Sequence, residues 1–394
     1  MRLAWVSPLP PTRSGIADYS AELMPAVAAW APVAPFAPFP HGEVPWGPVR
    51  SLTDLPPRSR DFDLIIYHMG NNPYHVGIYE LALRLPGLVV LHDCVLHHLV
   101  ARCTAGAGDA AGYLWHLVYE RGAAGAATAV RHAHGVFSER ERFLDPLNRV
   151  LLARSRGVIV HSRWAAEQVR RTCPDLPVRV VPHHLAPLPA GRRESLRRQL
   201  GLTPREILLL SLGFINREKR VEQLLRAYAA LRPEHPEVRC VLVGEPDAGL
   251  DLAGMLERLG LAGQVTVTGY VDAEAMYGYI AACDIAVNLR YPSAGETSGA
   301  MVRLLGSGKA VITSNVRQYA EWPDDVCLKV DLGPAEVPML LYYLRRLVED
   351  APLRQRLGEN ARRYVEQHHA LERSAREYLA FCAELSGENA PMQR

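Results

Sequence analysis

The sequence predicts an α/β protein of two doubly wound, parallel-sheet domains in series, facing a central cleft. Three observations predict it. Short β-branched or apolar runs alternate with longer helical patterns, the signature of βαβ units. A proline-rich stretch interrupts that alternation near the middle, after which it restarts. At 394 residues the chain is too long for one ordinary core and suits two.

In the first half the strand runs are 3–6, 63–67, 88–91, 157–161 and 178–181, with helical patterns at 16–29, 110–133 and 164–171. Ser162 is the N-cap residue type expected just before the last of these. Pro182, Pro187 and Pro189, with His183 and His184 among them, can continue neither strand nor helix and read as a linker. In the second half strands are expected at 207–212, 238–243, 265–268, 285–289 and 310–313. Helices are expected at 221–231, 250–259, 273–282 and 299–305, before a helical tail over 336–385. The domains are accordingly 1–184 and 185–368, with a last helix in 369–394 packing back on the first domain.

Composition narrows the class. With 48% hydrophobic and 22% charged residues, the chain is an ordinary globular one. The formal charge of +2 comes with no basic stripe of interleaved aromatics, so no nucleic-acid partner is expected. The arginines over 353–367 alternate with glutamates, as on a solvated helix face. Seven scattered cysteines without a C-x-x-C pair fit reduced thiols rather than a disulfide framework or a zinc site. No secretory leader pattern precedes the first strand, and no stretch of eighteen residues is apolar and uncharged. The expectation is a soluble, cytoplasmic protein, with peripheral contact at the inner face of a membrane left open.

Ligands of open parallel sheets sit at the carboxyl ends of strands, so the loops there are the candidates. After the first strand, Ser14-Gly15 opens a helix whose free N–H groups suit an anion, or forms a plain turn. The loop Tyr67–His75 offers Asn71, Asn72 and His75, either to sugar hydroxyls or to its own turns. His92 ends another strand and either suits donation to a hydroxyl or phosphate or packs quietly. Asp93 either fixes its tautomer or caps the next helix. Gly213, Arg217, Lys219 and Arg220 place three cations beside a pliable backbone, with Glu218 partly offsetting them, which reads either as the pattern a diphosphate needs or as a surface loop of mixed charge. The densest stretch runs from Asn288 to Ala300. There Glu296, Thr297, Ser298 and Gly299 combine a carboxylate, hydroxyls and small residues at a helix mouth, suited to sugar hydroxyls, or Thr297 or Ser298 is simply the N-cap with Glu296 placed against the dipole.

On these residues the chain resembles the family-4 retaining glycosyltransferases of the GT-B fold, built from two Rossmann-like domains. The resemblance rests on Ser14-Gly15, His92-Asp93, the block from Gly213 to Lys219, and that from Tyr291-Pro292-Ser293 to Gly308-Lys309-Ala310-Val311-Ile312, in matching order and spacing. It implies a nucleotide-sugar donor as co-substrate, no cofactor and no metal, and a glycan, lipid-linked or small-molecule acceptor. By resemblance Gly15 lies under the donor diphosphate, His92 near the donor sugar, and Lys219 on the phosphates. Glu296 and the amides of Thr297, Ser298 and Gly299 would hold the transferred sugar. Three positions depart from the family pattern. Phe214 stands where an arginine is usual, with Arg217 and Arg220 the substitutes. Gly295 stands at the first glutamate position, so that Glu296 is offset by one. Arg303 stands where a second glutamate would hold the ribose.

The implied reaction needs no protein nucleophile: the leaving diphosphate takes the acceptor's proton while cations stabilise its charge. Two rivals stand beside it, a nucleotide-sugar epimerase on the same fold and a non-catalytic partner subunit that binds a nucleotide sugar or glycan.

Overall fold

The computed structural model describes residues 1–39, 43–44, 47–136, 138–189 and 192–387. In chain order the first half contains β1 (Leu3–Val6), α1 (Gly15–Ala28), β2 (Val33–Ala37), the small pair β3 (Glu43–Val44) and β4 (Gly47–Pro48), β5 (Arg50–Ser51), β6 (Leu64–Met69), α2 (Val76–Arg84) and β7 (Leu88–Leu91). Four helices follow, α3 (His97–Cys103), α4 (Ala110–Arg121), α5 (Ala123–Ala133) and α6 (Arg149–Arg154), then β8 (Gly157–Val160), α7 (Arg163–Thr172) and β9 (Val178–Val180). The second half contains α8 (Arg193–Gln199), β10 (Ile207–Leu212), α9 (Val221–Leu231), β11 (Val238–Val243), α10 (Leu252–Arg258), β12 (Val265–Val267), α11 (Ala273–Ala282), β13 (Ile285–Asn288), α12 (Gly299–Gly306), β14 (Ala310–Ser314) and β15 (Leu328–Val330). Three long helices close it: α13 (Glu336–Glu349), α14 (Ala351–His368) and α15 (Leu371–Ser386).

The chain divides into two compact units. Unit 1 is Met1–His184 with Ala294–Thr297 and Leu371–Arg394; unit 2 is Leu185–Ser293 with Ser298–Ala370. The expected last segment, 369–394, is described only as far as residue 387, and 388–394 lie outside the described residues.

Unit 1 holds a seven-stranded sheet in the order β5-β2-β1-β6-β7-β8-β9, parallel throughout. Its four central strands, β1, β6, β7 and β8, are buried on both faces because helices cover both. Side chains alternate along each strand, so Ala4 and Val6 enter one core while Leu3 and Trp5 enter the other. α15 seals the second core: its Tyr378 hydroxyl meets that of Tyr19 on α1 at 2.8 Å. Arg179 on β9 reaches both carboxylate oxygens of Glu384, at 2.7 and 2.8 Å. Unit 2 holds a six-stranded parallel sheet in the order β12-β11-β10-β13-β14-β15, again with one apolar core on each face.

Several elements differ from expectation. The helix expected over 110–133 is two helices, broken at Gly122, whose φ of +57° no helix interior accommodates. β2, rich in alanine and proline, and the three-residue β15 carry too weak a pattern to be seen. α8 is polar but held by a buried hub. Asp284 receives Arg193 at 2.6 Å, Arg197 at 2.9 Å and the Leu208 amide at 2.8 Å. Burial raises the Asp284 pKa, but these donors outweigh it and the net direction is down. The histidines expected in the linker, His183 and His184, are instead buried in unit 1, edge-on and tilted against the Tyr19 ring.

Candidate active site

In a doubly wound sheet the strand order reverses on either side of the first strand, leaving a crevice at that switch point. In unit 2 the reversal falls between β10 and β13, which pair directly. The two loops the sequence marks as densest in chemistry follow these two strands. They also touch: the Tyr291 amide donates to the Glu218 carbonyl at 2.7 Å.

After β10 the chain turns at Gly213, with φ +100°. The Lys219 ammonium returns beneath this turn and donates to the Leu212 carbonyl, the last of the strand. A Cβ on Gly213 would lie 2.3 Å from Lys219 Nζ, so turn and cation are packed together. Asn216 fixes the loop by accepting the Lys219 amide at 3.0 Å. The other two expected cations go elsewhere. Arg220 has both arms of its guanidinium on Glu336, whose side chain is only 2% exposed. Its charge is thereby matched by a buried carboxylate, which corrects the expectation that it neutralises a diphosphate. Arg217 is exposed and lines an open hollow of about 410 Å³ with Arg258 and Asp251, a hollow whose lining includes neither Gly213 nor Lys219.

After β13, Ser298 caps α12. Its hydroxyl accepts the Met301 amide at 3.2 Å and donates to Asn288 Oδ1 at 3.2 Å. The first amides of α12, beginning at Gly299, face out of the strand ends as helix N-termini do. Asn288 is 6% exposed, and its Nδ2 donor is buried with no hydrogen-bond partner among the described residues. An orphaned donor beside a helix N-terminus is suited to an incoming acceptor atom. Asn288 lay inside the quoted stretch, but only its unpaired amide singles it out.

Glu296 and Thr297 are half-buried and group with unit 1, where the Val95 amide donates to the Ala294 carbonyl at 2.9 Å. The offset of Glu296 from the family position has a physical cause. Gly295 has φ +84°, and a Cβ there would meet Trp164 at 2.6 Å and Cys94 at 2.8 Å, so no carboxylate can occupy it. Arg303, on α12, donates through Nε to the Tyr277 hydroxyl at 3.1 Å. Its fixed donors leave no acceptor at that position.

Sequence reasoning missed a second rim of the same strand ends. Gly244, at φ +146°, brings the chain after β11 so close to the Gly213 carbonyl that a Cβ would sit 2.3 Å from it. Beyond it Glu245 accepts the Tyr270 amide at 3.1 Å, and the Tyr270 ring is 55% exposed. The signal was present as a glycine directly after each of two strands, but which strands are neighbours had to be known first.

In unit 1 the switch point lies between β1 and β6. Ser14 caps α1, accepting the Ile16 amide at 3.3 Å, and Gly15 is exposed with open space where a Cβ would project. Gly15 is the first residue of α1 and is not among the positive-φ glycines.

The other strand ends of unit 1 carry a lateral ladder of imidazoles. His161, after β8, points Nδ1 at the Val181 carbonyl, 2.8 Å away, and a carbonyl only accepts. His161 Nδ1 therefore carries the proton and Nε2 accepts, from His92 Nδ1 at 3.2 Å. His92 Nε2 in turn accepts from His68 Nδ1 at 3.0 Å. One carbonyl thus sets the tautomer of three neutral rings across β6, β7, β8 and the end of β9. The last acceptor, His68 Nε2, is buried without a partner among the described residues. Burial is the leading cause that holds His68 and His92 well below the usual imidazole pKa, with the neighbouring histidines adding to it. Both nitrogens of His92 are engaged, so the expectation that it donates to a hydroxyl or phosphate is corrected.

Two further expectations fall on structural roles. The Asn71 amide accepts the Leu99 amide at 3.0 Å and meets His98 Nδ1 at 2.9 Å, which supplies the cap that α3 lacks from its own Leu96. Asp93 accepts the Asn71 main-chain amide at 2.7 Å. His75 is wholly buried, with Nδ1 on Asn72 Oδ1 at 2.9 Å, and burial lowers its pKa to about 3. Contact of Asn71 or His75 with a sugar is therefore corrected to support of the loop itself. Among the described residues no three His, Cys, Asp or Glu side chains are grouped to hold a metal ion. Among them, too, no helix is long and apolar enough to cross a membrane.

Residues 192–364 match the family model of glycosyl transferases group 1. The chain is 28% identical over 235 residues to alpha-D-kanosaminyltransferase of Streptomyces kanamyceticus, a match spanning 56% of this chain and 59% of that protein, under two thirds of its length. It is 28% identical over 177 residues to the lipopolysaccharide glucosyltransferase WaaG of Escherichia coli, 44% of this chain and 46% of that one. Among solved structures it resembles sucrose-phosphate synthase from Thermosynechococcus elongatus, with a TM-score of 0.70 at 19% identity over 98% and 99% of the two chains. It also resembles Anabaena HepE in complex with UDP, with a TM-score of 0.69 at 15% identity over 98% and 100%. At these identities the two structures establish the shared GT-B fold of two Rossmann-like domains.

Proposed function

We propose, from the match of residues 192–364 to the family model of glycosyl transferases group 1, that the chain is a retaining glycosyltransferase using a nucleotide-sugar donor. The observation that carries this reading is the switch point of unit 2. There one lysine, one helix N-terminus and one orphaned amide converge on loops that follow neighbouring strands.

Lys219 stabilises the negative charge that grows on the leaving diphosphate. Its geometry is fixed in advance by Gly213 and Asn216, so little reorganisation is required as the bond breaks. The first amides of α12 and Asn288 Nδ2 donate to the phosphate oxygens or to the transferred sugar. The departing diphosphate accepts the proton of the acceptor hydroxyl. The sugar keeps its anomeric configuration because the acceptor enters on the face the diphosphate leaves. Within unit 1, Gly15 and the start of α1 offer amides to an anion. Arg303 cannot accept from ribose hydroxyls, so the ribose is gripped by donors or elsewhere on the Glu245–Tyr270 rim.

HepE has been solved with UDP-glucose, while relatives from Mycobacterium tuberculosis are GDP-mannose-dependent mannosyltransferases. Both donor types therefore belong in the test. Incubation with UDP-, GDP- and ADP-sugars, followed by release of nucleoside diphosphate, identifies the donor without an acceptor. Lys219→Ala is expected to lower that release by about a hundredfold or more. Release at the wild-type rate would remove Lys219 from the mechanism. An epimerised donor would favour the epimerase reading, and binding without release or transfer would favour the partner-subunit reading.

A further inference from the structure

Four side chains of unit 1 join end to end where α3, α4, α5 and the turn Glu139–Phe143 meet. His97 points Nδ1 at the Asp145 carbonyl, 2.9 Å away, and Nε2 at the Tyr113 hydroxyl, 2.8 Å away. That hydroxyl also meets His132 Nδ1 at 2.9 Å, and His132 Nε2 faces Glu141 Oε2 at 3.3 Å. The run thus has four hydrogen bonds, and both of its ends, a carbonyl and a carboxylate, only accept. Two neutral imidazoles and one phenol supply three protons, so the fourth bond requires another. The ladder of His68, His92 and His161 differs. Three bonds there share three protons, and the last acceptor is left over.

The surroundings decide which group carries the extra proton. Glu141 accepts the Ser138 amide at 3.2 Å and Arg131 at 2.9 Å. The Ser138 bond above all, then those of His132 and Arg131, holds the Glu141 carboxyl below its usual range. Glu141 therefore stays a carboxylate. His97 is buried, and burial pushes its pKa down to about 4. That leaves His132, which holds a proton on each nitrogen, between Tyr113 and Glu141. Among the described side chains, the charged groups facing this part of the run are Glu141 and Arg142 from the turn and Arg131 from its own helix. Asp145, engaged by Arg121, lies beyond Tyr113. The same turn carries Phe143, edge-on to His98 at 5.5 Å, and His98 Nδ1 is the partner of Asn71 after β6. A proton on His132 thus bears on a turn that packs beside the strand ends.

We propose that His97, Tyr113, His132 and Glu141 form a proton-locked clasp, which holds the turn Glu139–Phe143 closed while the run keeps its fourth proton and releases it at alkaline pH. The proton leaves to water, and one bond of the run is then left facing two acceptors. The closed clasp binds one proton more than the opened one, so its stability falls as pH rises, the opposite sign to the buried ladder. The clasp is independent of the transfer reaction, and its test needs no donor. Hydrogen exchange of the full chain is followed with labelling times scaled to the intrinsic rate at each pH. Protection of peptides covering 138–145 should fall by about tenfold or more between about pH 6 and about pH 9, while 149–154 holds. Glu141→Gln should remove that loss, because a side-chain amide donates to a neutral His132 and no fourth proton is needed. Nitrogen NMR of histidine-labelled protein, assigned with His132→Gln, should show both ring nitrogens of His132 protonated at about pH 6. A singly protonated His132 at that pH would overturn the proposal. So would unchanged protection of 138–145 across the range, or the same alkaline loss in Glu141→Gln as in wild type.

Discussion

The two units are both doubly wound parallel sheets, and their strand ends have opposite contents. In unit 2 the strand ends are kept open by Gly213 and Gly244 and hold a cation, an orphaned amide and an exposed tyrosine. In unit 1 the strand ends are filled. His68, His92 and His161 run as a neutral ladder from strand to strand, packed on Tyr19 and closed by the Val181 carbonyl. The comparison teaches that a histidine at a strand end reads as catalytic until the neighbouring strands are known. One such imidazole is reactive; three in register become an internal lattice. Chemistry that handles a diphosphate is therefore ascribed here to unit 2.

Acid should separate the two units most strongly. Histidines held below their ordinary pKa leave the folded state with fewer protons than the unfolded state once pH drops under about 6.5. Their contribution is complete above that pH and is lost as pH falls, down through about 4 for His97 and about 3 for His75, where burial is the leading cause in both. His68 and His92, both held low chiefly by burial, add to that loss in the same direction. Peptide-resolved hydrogen exchange, pulsed after equilibration at each pH, should show 64–69 and 88–91 losing protection before 207–212 and 285–288. Simultaneous loss would break the contrast.

Gly244→Ala sharpens it from the other side. The new Cβ would press on the Gly213 carbonyl at a φ of +146°, at a cost of about 1–3 kcal/mol. Chemical denaturation should place that loss in unit 2, and donor hydrolysis should fall with it because the Gly213 turn carries Lys219. In unit 1, Tyr378→Phe leaves the buried Tyr19 hydroxyl without its 2.8 Å partner and should destabilise by about 1–3 kcal/mol. Tyr19→Phe/Tyr378→Phe should recover much of that loss, since no orphaned hydroxyl remains. The smallest effect is expected at Ser162→Ala, about 1 kcal/mol, from removing the oxygen that accepts the Ala165 amide at 3.1 Å.

Strand and helix placement was legible wherever a run was long and apolar: β1, β7, β10, β11, α9 and α11 fall on the expected residues. Elements defined by partners were not. α8 depends on Asp284 nearly ninety residues away, and β2 on pairing to β1. The loops Gly213–Lys219 and Asn288–Gly299 were legible as chemistry because their residue types are unusual beside strands. Which cation remained at the turn was not, because Glu336, which engages Arg220, lies over a hundred residues downstream. His92 misled for the same reason. Its nearest partners, His68 and His161, each end a different strand, and no local pattern records that those strands are adjacent.

Hydrogen exchange in the presence of a nucleoside diphosphate tests the central assignment most directly. Addition of UDP or GDP should protect the peptides covering 213–220 and 298–302, with little change across 64–69 and 157–161, and Lys219→Ala should weaken that protection. Protection confined to the histidine strand ends, with the loops after β10 and β13 unaffected, would contradict it.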